Sequence, residues 1–203
     1  MSDFSSQRSE VLASFPLAVL LFPGEELPLH IFEPRYRQLI SEVRKKGSTF
    51  AVPYVMSQAI QKYGCEVRLK EVVAENPGGR MVIVVEGVSL VQIQNHSDIM
   101  EGKLYGGATI LRFPCSTPLQ SEALIQLIHE YRQNYDHDFL SCCEDSITRQ
   151  DVVSALNLSS EDKYKFICMK DDLQKETYLI NQLRYLKKVR EQELLLGDDF
   201  GLN

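Results

Sequence analysis

The chain has 203 residues, 44% of them hydrophobic and 25% charged, which is enough to bury a sizeable core and excludes a disordered polymer. Its 22 Lys and Arg stand against 28 Asp and Glu, a net charge of −6 that argues against nonspecific attachment to nucleic acid or anionic lipid. No apolar run approaches the roughly 20 residues that cross a bilayer, so no membrane association is expected. The block Phe15–Ile40 reads as a strand, a turn at Pro23-Gly24, a second strand, and a helix opened by Glu33-Pro34. That helix is predicted over Pro34–Lys46. Proline suits a first helical turn, and Tyr36, Leu39, Ile40 and Val43 form an apolar stripe. Gly47 stands where a left-handed cap belongs, and Arg44, Lys45 and Lys46 complement the dipole of the last turn.

Strand grammar continues to about residue 114. Thr49–Met56 is a predicted strand, and Glu66–Glu75 alternates, with Val67, Leu69 and Val73 on one face. Asn76-Pro77-Gly78-Gly79 is a turn. Arg80–Glu86 follows, apolar from Met81 to Val85 and therefore expected to be buried on both faces. Gly87 is read as a break, with further strands at Val88–Gln94 and Lys103–Phe113. Such closely spaced strands with one helix suggest a barrel or a folded antiparallel-rich sheet.

Beyond the linker at residues 113–118 the apolar period lengthens to that of helices. Thr117, Pro118 and Gln120 have capping-box form, and Leu124, Leu127, Ile128, Tyr131 and Tyr135 mark the face of the helix that follows. A second helix begins at Thr148 and a third near Ser159 or Ser160. A long fourth runs from Asp171 to about Leu196, with Leu173, Ile180, Leu183, Leu186 and Val189 inward. The last residues, GDDFGLN, are expected to fray.

The opening block also carries a resemblance. Its leading Phe-Pro-Leu, the turn Phe22-Pro23-Gly24, and the run from Leu27 through Pro28, His30, Phe32, Glu33 and Arg35 to Tyr36 resemble the start of the LON domain. That domain is the substrate-recognition segment at the N-terminus of Lon-type ATP-dependent proteases. The Glu86-Gly87 step resembles the family's Gly-centred element, although the strand after it lacks the aromatic and Arg residues often found there. Behind residue 115 the likeness is generic, and Glu176-Thr177 stands where an Arg would be usual. The resemblance implies an α+β fold: a β-rich, PUA-like pseudobarrel with one helix over 1–114, then a helical bundle over 115–203. With no G-x-x-x-x-G-K-[ST] phosphate loop, the chain looks like a stand-alone LON domain without ATPase or protease modules. It is thus expected to be no enzyme and to need no cofactor. Its implied partners are polypeptide segments or unfolded protein, taken by shallow apolar grooves or by strand addition at an open sheet edge. The alternative is an RNA-binding PUA-like module.

Candidate site residues are few. Glu33 and Arg35, beside the helix start, either pair structurally or contribute to a surface groove. His30, between Leu29 and Ile31, reads as a packed residue rather than a ligand or base. His129, Asp136, His137, Asp138, Cys142 and Cys143 have metal-ligand chemistry, but their spacing does not converge four ligands tetrahedrally, so no metal is expected. A thiol nucleophile at Cys142 or Cys143 would need an oriented histidine that spacing does not supply. Arg35, Arg37, Arg44, Lys45 and Lys46 form the densest basic stretch, read as a solvated helix face with RNA binding as the alternative. The five cysteines lack framework spacing, and the first ten residues lack the apolar core of a secretory leader. Reduced thiols and a cytoplasmic location are expected, with Cys65 and Cys168 read as small buried hydrophobes.

Overall fold

The computed structural model describes residues 8–113, 117–141 and 146–200. The fold is mixed α+β, with a six-stranded sheet and five helices among the described residues. The chain divides into two compact units, Met1–Cys115 and Ser116–Asn203.

The first unit contains β1 (Glu10–Ser14), β2 (Glu26–Ile31), α1 (Pro34–Lys46), β3 (Phe50–Met56), β4 (Ala59–Glu75), β5 (Met81–Ser97) and β6 (Gly106–Arg112). The strands lie in the order β2-β5-β4-β3-β1-β6, and β5 also pairs with β6. Length explains this closure. β5 has 17 residues, and its first half lies between β2 and β4 while its second half pairs with β6. Register shifts between β4 and β5 near Val67, Glu71 and Ala74 add the local bend and twist that such a path requires.

The sequence expectation of two strands broken at Gly87 is therefore corrected. Gly87 is a strand residue, and its small size serves a close approach. A Cβ there would lie 2.2 Å from the Phe22 carbonyl oxygen, while Gly87 N–H donates to Glu25 O at 2.9 Å and Gly24 N–H to Gly87 O at 2.9 Å. The Phe22–Glu25 turn, with Gly24 at φ 84°, is thereby fastened to β5. Gly87→Ala is expected to destabilise the fold by about 2–3 kcal/mol, because backbone must shift. Denaturant midpoints would check this, and an unchanged midpoint would contradict it.

The first strand is also shifted. Residues 15–22 follow β3 only through scattered bonds, such as Phe15 N–H to Ala51 O at 2.9 Å, and the regular strand is Glu10–Ser14, antiparallel to β6. Helix α1 has the predicted bounds, with Gly47 at φ 62°. Its face of Tyr36, Leu39, Ile40 and Val43 packs into a core with Phe15, Ile31, Phe50, Met81, Ile83 and Val85, and Phe15 stacks on Tyr36 at 3.8 Å. One face of the β2-β5-β4 segment is thus covered by α1.

The second unit contains α2 (Glu122–Asn134), α3 (Arg149–Ala155), α4 (Ser160–Cys168) and α5 (Asp172–Phe200). Ser121 caps α2, rather than Thr117, because Thr117 O accepts from Arg149 N–H at 3.0 Å and Pro118 bridges Thr148. Thr148 and Asp151 form a reciprocal capping box on α3, and Ser159 caps α4. Helix α5 is assigned as far as Phe200, past the predicted end near Leu196. Its buried stripe is Glu176, Leu179 and Leu183, whereas Leu173, expected inward, is 71% exposed because it precedes the packed turns.

Candidate functional site

The expected candidates occupy three different settings. Glu33 is the N-cap residue of α1, its carbonyl accepting from Tyr36 and Arg37 N–H, and its carboxylate accepts from Arg35 Nε at 2.8 Å. Arg35 also lies over the Tyr36 ring, 4.5 Å from its centroid. Both side chains are largely solvated, so the pair contributes at most about 1 kcal/mol. Most of the basic stretch, Lys45 apart, is already engaged: Arg37 donates to Gly78 O, Arg44 to Glu75 at 3.0 Å, and Lys46 lies 3.7 Å from Glu42. Such partners compete with phosphate. His129 and His137 are exposed, and no three His, Cys, Asp or Glu among the described residues could hold a metal ion. Cys142 and Cys143 lie outside the described residues. Cys65 is buried as expected, but Cys168 is exposed, being the last residue of α4.

His30 requires a correction that leads to the site. It is exposed, because alternation along β2 turns Leu27, Leu29 and Ile31 toward α1 and leaves Glu26, Pro28 and His30 on the opposite face. The same alternation in β5 buries Met81, Ile83 and Val85 and leaves Val82 and Val84 half-buried, so the Met81–Val85 run is buried fully on one face only. Strand register aligns these outward residues in rows. Pro28 lies beside Val84, which lies beside Glu71; His30 lies beside Val82, which lies beside Ala74.

This outer face has distinct ends. At one, Glu26 pairs with Lys70 and Glu86 accepts from Arg68 at 2.7 Å. At the other, the end of β2 and the β4–β5 turn enclose a shallow cavity of about 470 Å³, lined by His30, Phe32, Ala74, Glu75, Asn76, Arg80 and Val82 among others. Phe32 is 62% exposed there, and Val73 nearby is 56% exposed. In addition, among the described residues β2 pairs only with β5, so it forms an edge of the sheet. Pro28, which has no N–H to donate, is tolerated on such an edge. An apolar face beside an open strand edge can bind extended chain by packing and by backbone hydrogen bonds.

Sequence reasoning passed over Phe32, Val82, Val84 and Arg80. The signal was the alternation itself, which carries Pro28, His30 and Phe32 to one side of a strand whose other side is already apolar.

The profile of the ATP-dependent protease La (LON) substrate-binding domain matches residues 11–196. The chain belongs to that LON substrate-binding family. Two solved structures share its fold. One is a Lon N-terminal domain protein from Xanthomonas campestris, at TM-score 0.61 and 21% identity, covering 88% of this chain and 98% of the other. The second is the N-terminal domain of the Mycobacterium avium complex Lon protease, at TM-score 0.59 and 14% identity, covering 86% and 98%. In this LON chain Gly87 lies where the Phe22 backbone packs against β5. Glu176 is buried and bonded to Arg149. No helix among the described residues is long and apolar enough to cross a membrane.

Proposed function

We propose that this LON domain binds polypeptide without catalysing a reaction, taking extended or unfolded segments on the outer face of β2, β5 and β4. The carrying observation is the half-open apolar face formed by Pro28, Val84, Val82 and Ala74, ending at the exposed Phe32. Exposed apolar surface of this kind is stabilised by contact with apolar side chains, and an extended segment reaches several rows at once. Family membership supports a substrate-recognition role. The closed strand path supports a PUA-like pseudobarrel over 1–114, and the four helices after residue 115 a bundle. The pairing of Arg35, Arg44 and Lys46 with neighbouring acids speaks against an RNA module. Binding without nucleotide, a part in protein quality control and a cytoplasmic setting complete the proposal.

The test is binding to a permanently unfolded, alkylated protein. Val82→Asp, and separately Phe32→Ala, are expected to weaken binding by about tenfold or more. Leu173→Asp, an exposed position on α5, should leave it unchanged. Equal affinity for all three variants and the parent chain would refute the proposed face.

A further inference from the structure

The cavity at the end of this face has an uneven set of polar groups. Arg80 is exposed and, among the described residues, has no carboxylate partner, whereas Arg44 is paired with Glu75, Arg37 donates to Gly78 O of the β4–β5 turn, and Arg68 and Lys70 at the far end of the face are paired with Glu86 and Glu26. The acid lining the cavity, Glu75, is thus already matched by Arg44. Asn76 uses its Oδ1 to accept from Arg80 N–H at 3.0 Å, which leaves its amide NH₂ as a donor. The imidazole of His30 lies on the same lining. In a protein of net charge −6, this spot therefore offers a cation and two further polar side chains, with its one acid neutralised.

The floor and walls beside those groups are apolar, from Phe32, Val82 and Ala74. The face also stops here, since β2 ends at Ile31 and β4 turns at Asn76–Gly79 into β5. A segment lying along the rows runs out of sheet at this point.

We propose that the cavity receives the C-terminal residue of a bound polypeptide, its apolar side chain against Phe32 and Val82 and its α-carboxylate on Arg80 and Asn76. This rests on the polypeptide-binding reading above and specifies which part of the polypeptide is held. A guanidinium can meet a carboxylate with two parallel hydrogen bonds, and amide NH₂ groups add to such a cradle. An apolar residue carrying a carboxylate on its own backbone satisfies both halves of the cavity at once.

Fluorescence anisotropy with a labelled short peptide ending in Ala-Val-Leu tests this on the full chain. Three forms are compared: free acid, C-terminal amide, and an amide with an internal Glu. The free acid is expected to bind about tenfold tighter than either amide, and Arg80→Gln should reduce that difference to less than about threefold. Arg80 is exposed, so the variant should fold, which circular dichroism checks. Equal binding of acid and amide, with loss on Val82→Asp, would overturn the terminal-carboxylate proposal and leave polypeptide binding standing. Equal binding of the internal-Glu amide and the free acid would overturn the assignment to a chain end. If no form binds and unfolded protein does not bind either, both proposals fall.

Discussion

Glu176→Ala is expected to cost about 3–5 kcal/mol, the loss typical when one partner of a buried ion pair is removed. Glu176 and Arg149 have side chains only 5% and 4% exposed, and Arg149 Nε donates to Glu176 at 3.0 Å. The carboxylate also accepts from the backbone N–H of Gln120 at 3.0 Å and of Ser121 at 2.6 Å, just before α2. It therefore joins the start of α2 to α3 and α5 in one place. Removing it strands two backbone donors and leaves Arg149 with Asp172 as its remaining acid. Burial by itself pulls the Arg149 guanidinium down, yet its bonds to Asp172 and Glu176 raise it above its ordinary value, so it stays charged and cannot escape the cost by deprotonating. The double variant Glu176→Leu, Arg149→Met should recover much of the loss, because apolar replacement of a whole buried pair is often neutral. Chemical denaturation followed by circular dichroism checks both. A Glu176→Ala loss below about 1 kcal/mol would contradict this role.

Glu66→Gln is expected to destabilise the first unit by about 2–3 kcal/mol. Glu66 is 3% exposed and accepts from Thr49 Oγ1 at 2.6 Å, Ser89 Oγ at 2.9 Å, and Arg112 Nε and Nη2 at 2.5 and 2.7 Å. Those partners lie before β3, on β5 and on β6, and Arg112 continues to Glu10 on β1 at 2.6 Å. The network thus crosses the closure of the strand ring. Burial on its own pushes the Glu66 carboxyl up, but the Arg112, Thr49 and Ser89 hydrogen bonds together outweigh it and hold it below the usual glutamate value. The sign follows from that depression. The contribution is fully present above the unfolded value of about 4.3, and is lost as pH falls through the lower folded value. Stability measured from neutral pH downward should therefore drop on acidification, and Glu66→Gln should show a shallower acid limb. Parallel acid limbs in the two proteins would contradict this assignment.

Much of the local structure was legible because it rests on short-range chemistry. Pro34 at the first turn, Gly47 at φ 62° and three basic residues in the last turn delimit α1 without reference to any other element. The Asn76–Gly79 reversal is of the same kind. Thr148 likewise announced its helix. What the sequence concealed depends on pairing across distance. Gly87 looked like a breaker, since nothing local reveals that the Phe22 carbonyl sits against it. Glu176 interrupted the apolar stripe of α5, and reading by hydropathy moved that stripe to Leu173, although Arg149 allows the acid to be buried. The candidate site was hidden for a related reason. An apolar run such as Met81–Val85 implies burial on two faces until register shows that only α1 and its neighbours cover one of them. Glu33 and Arg35 drew attention as charged residues beside a helix start, and the structure pairs them with each other at the surface.

The most direct test of polypeptide recognition on this face is hydrogen exchange of the full chain with and without saturating unfolded protein. Slowed exchange is expected at the backbone amides of Glu26–Phe32 and of residues 74–84, with β1 and β6 unchanged. Protection confined to other elements, or none at saturation, would contradict it.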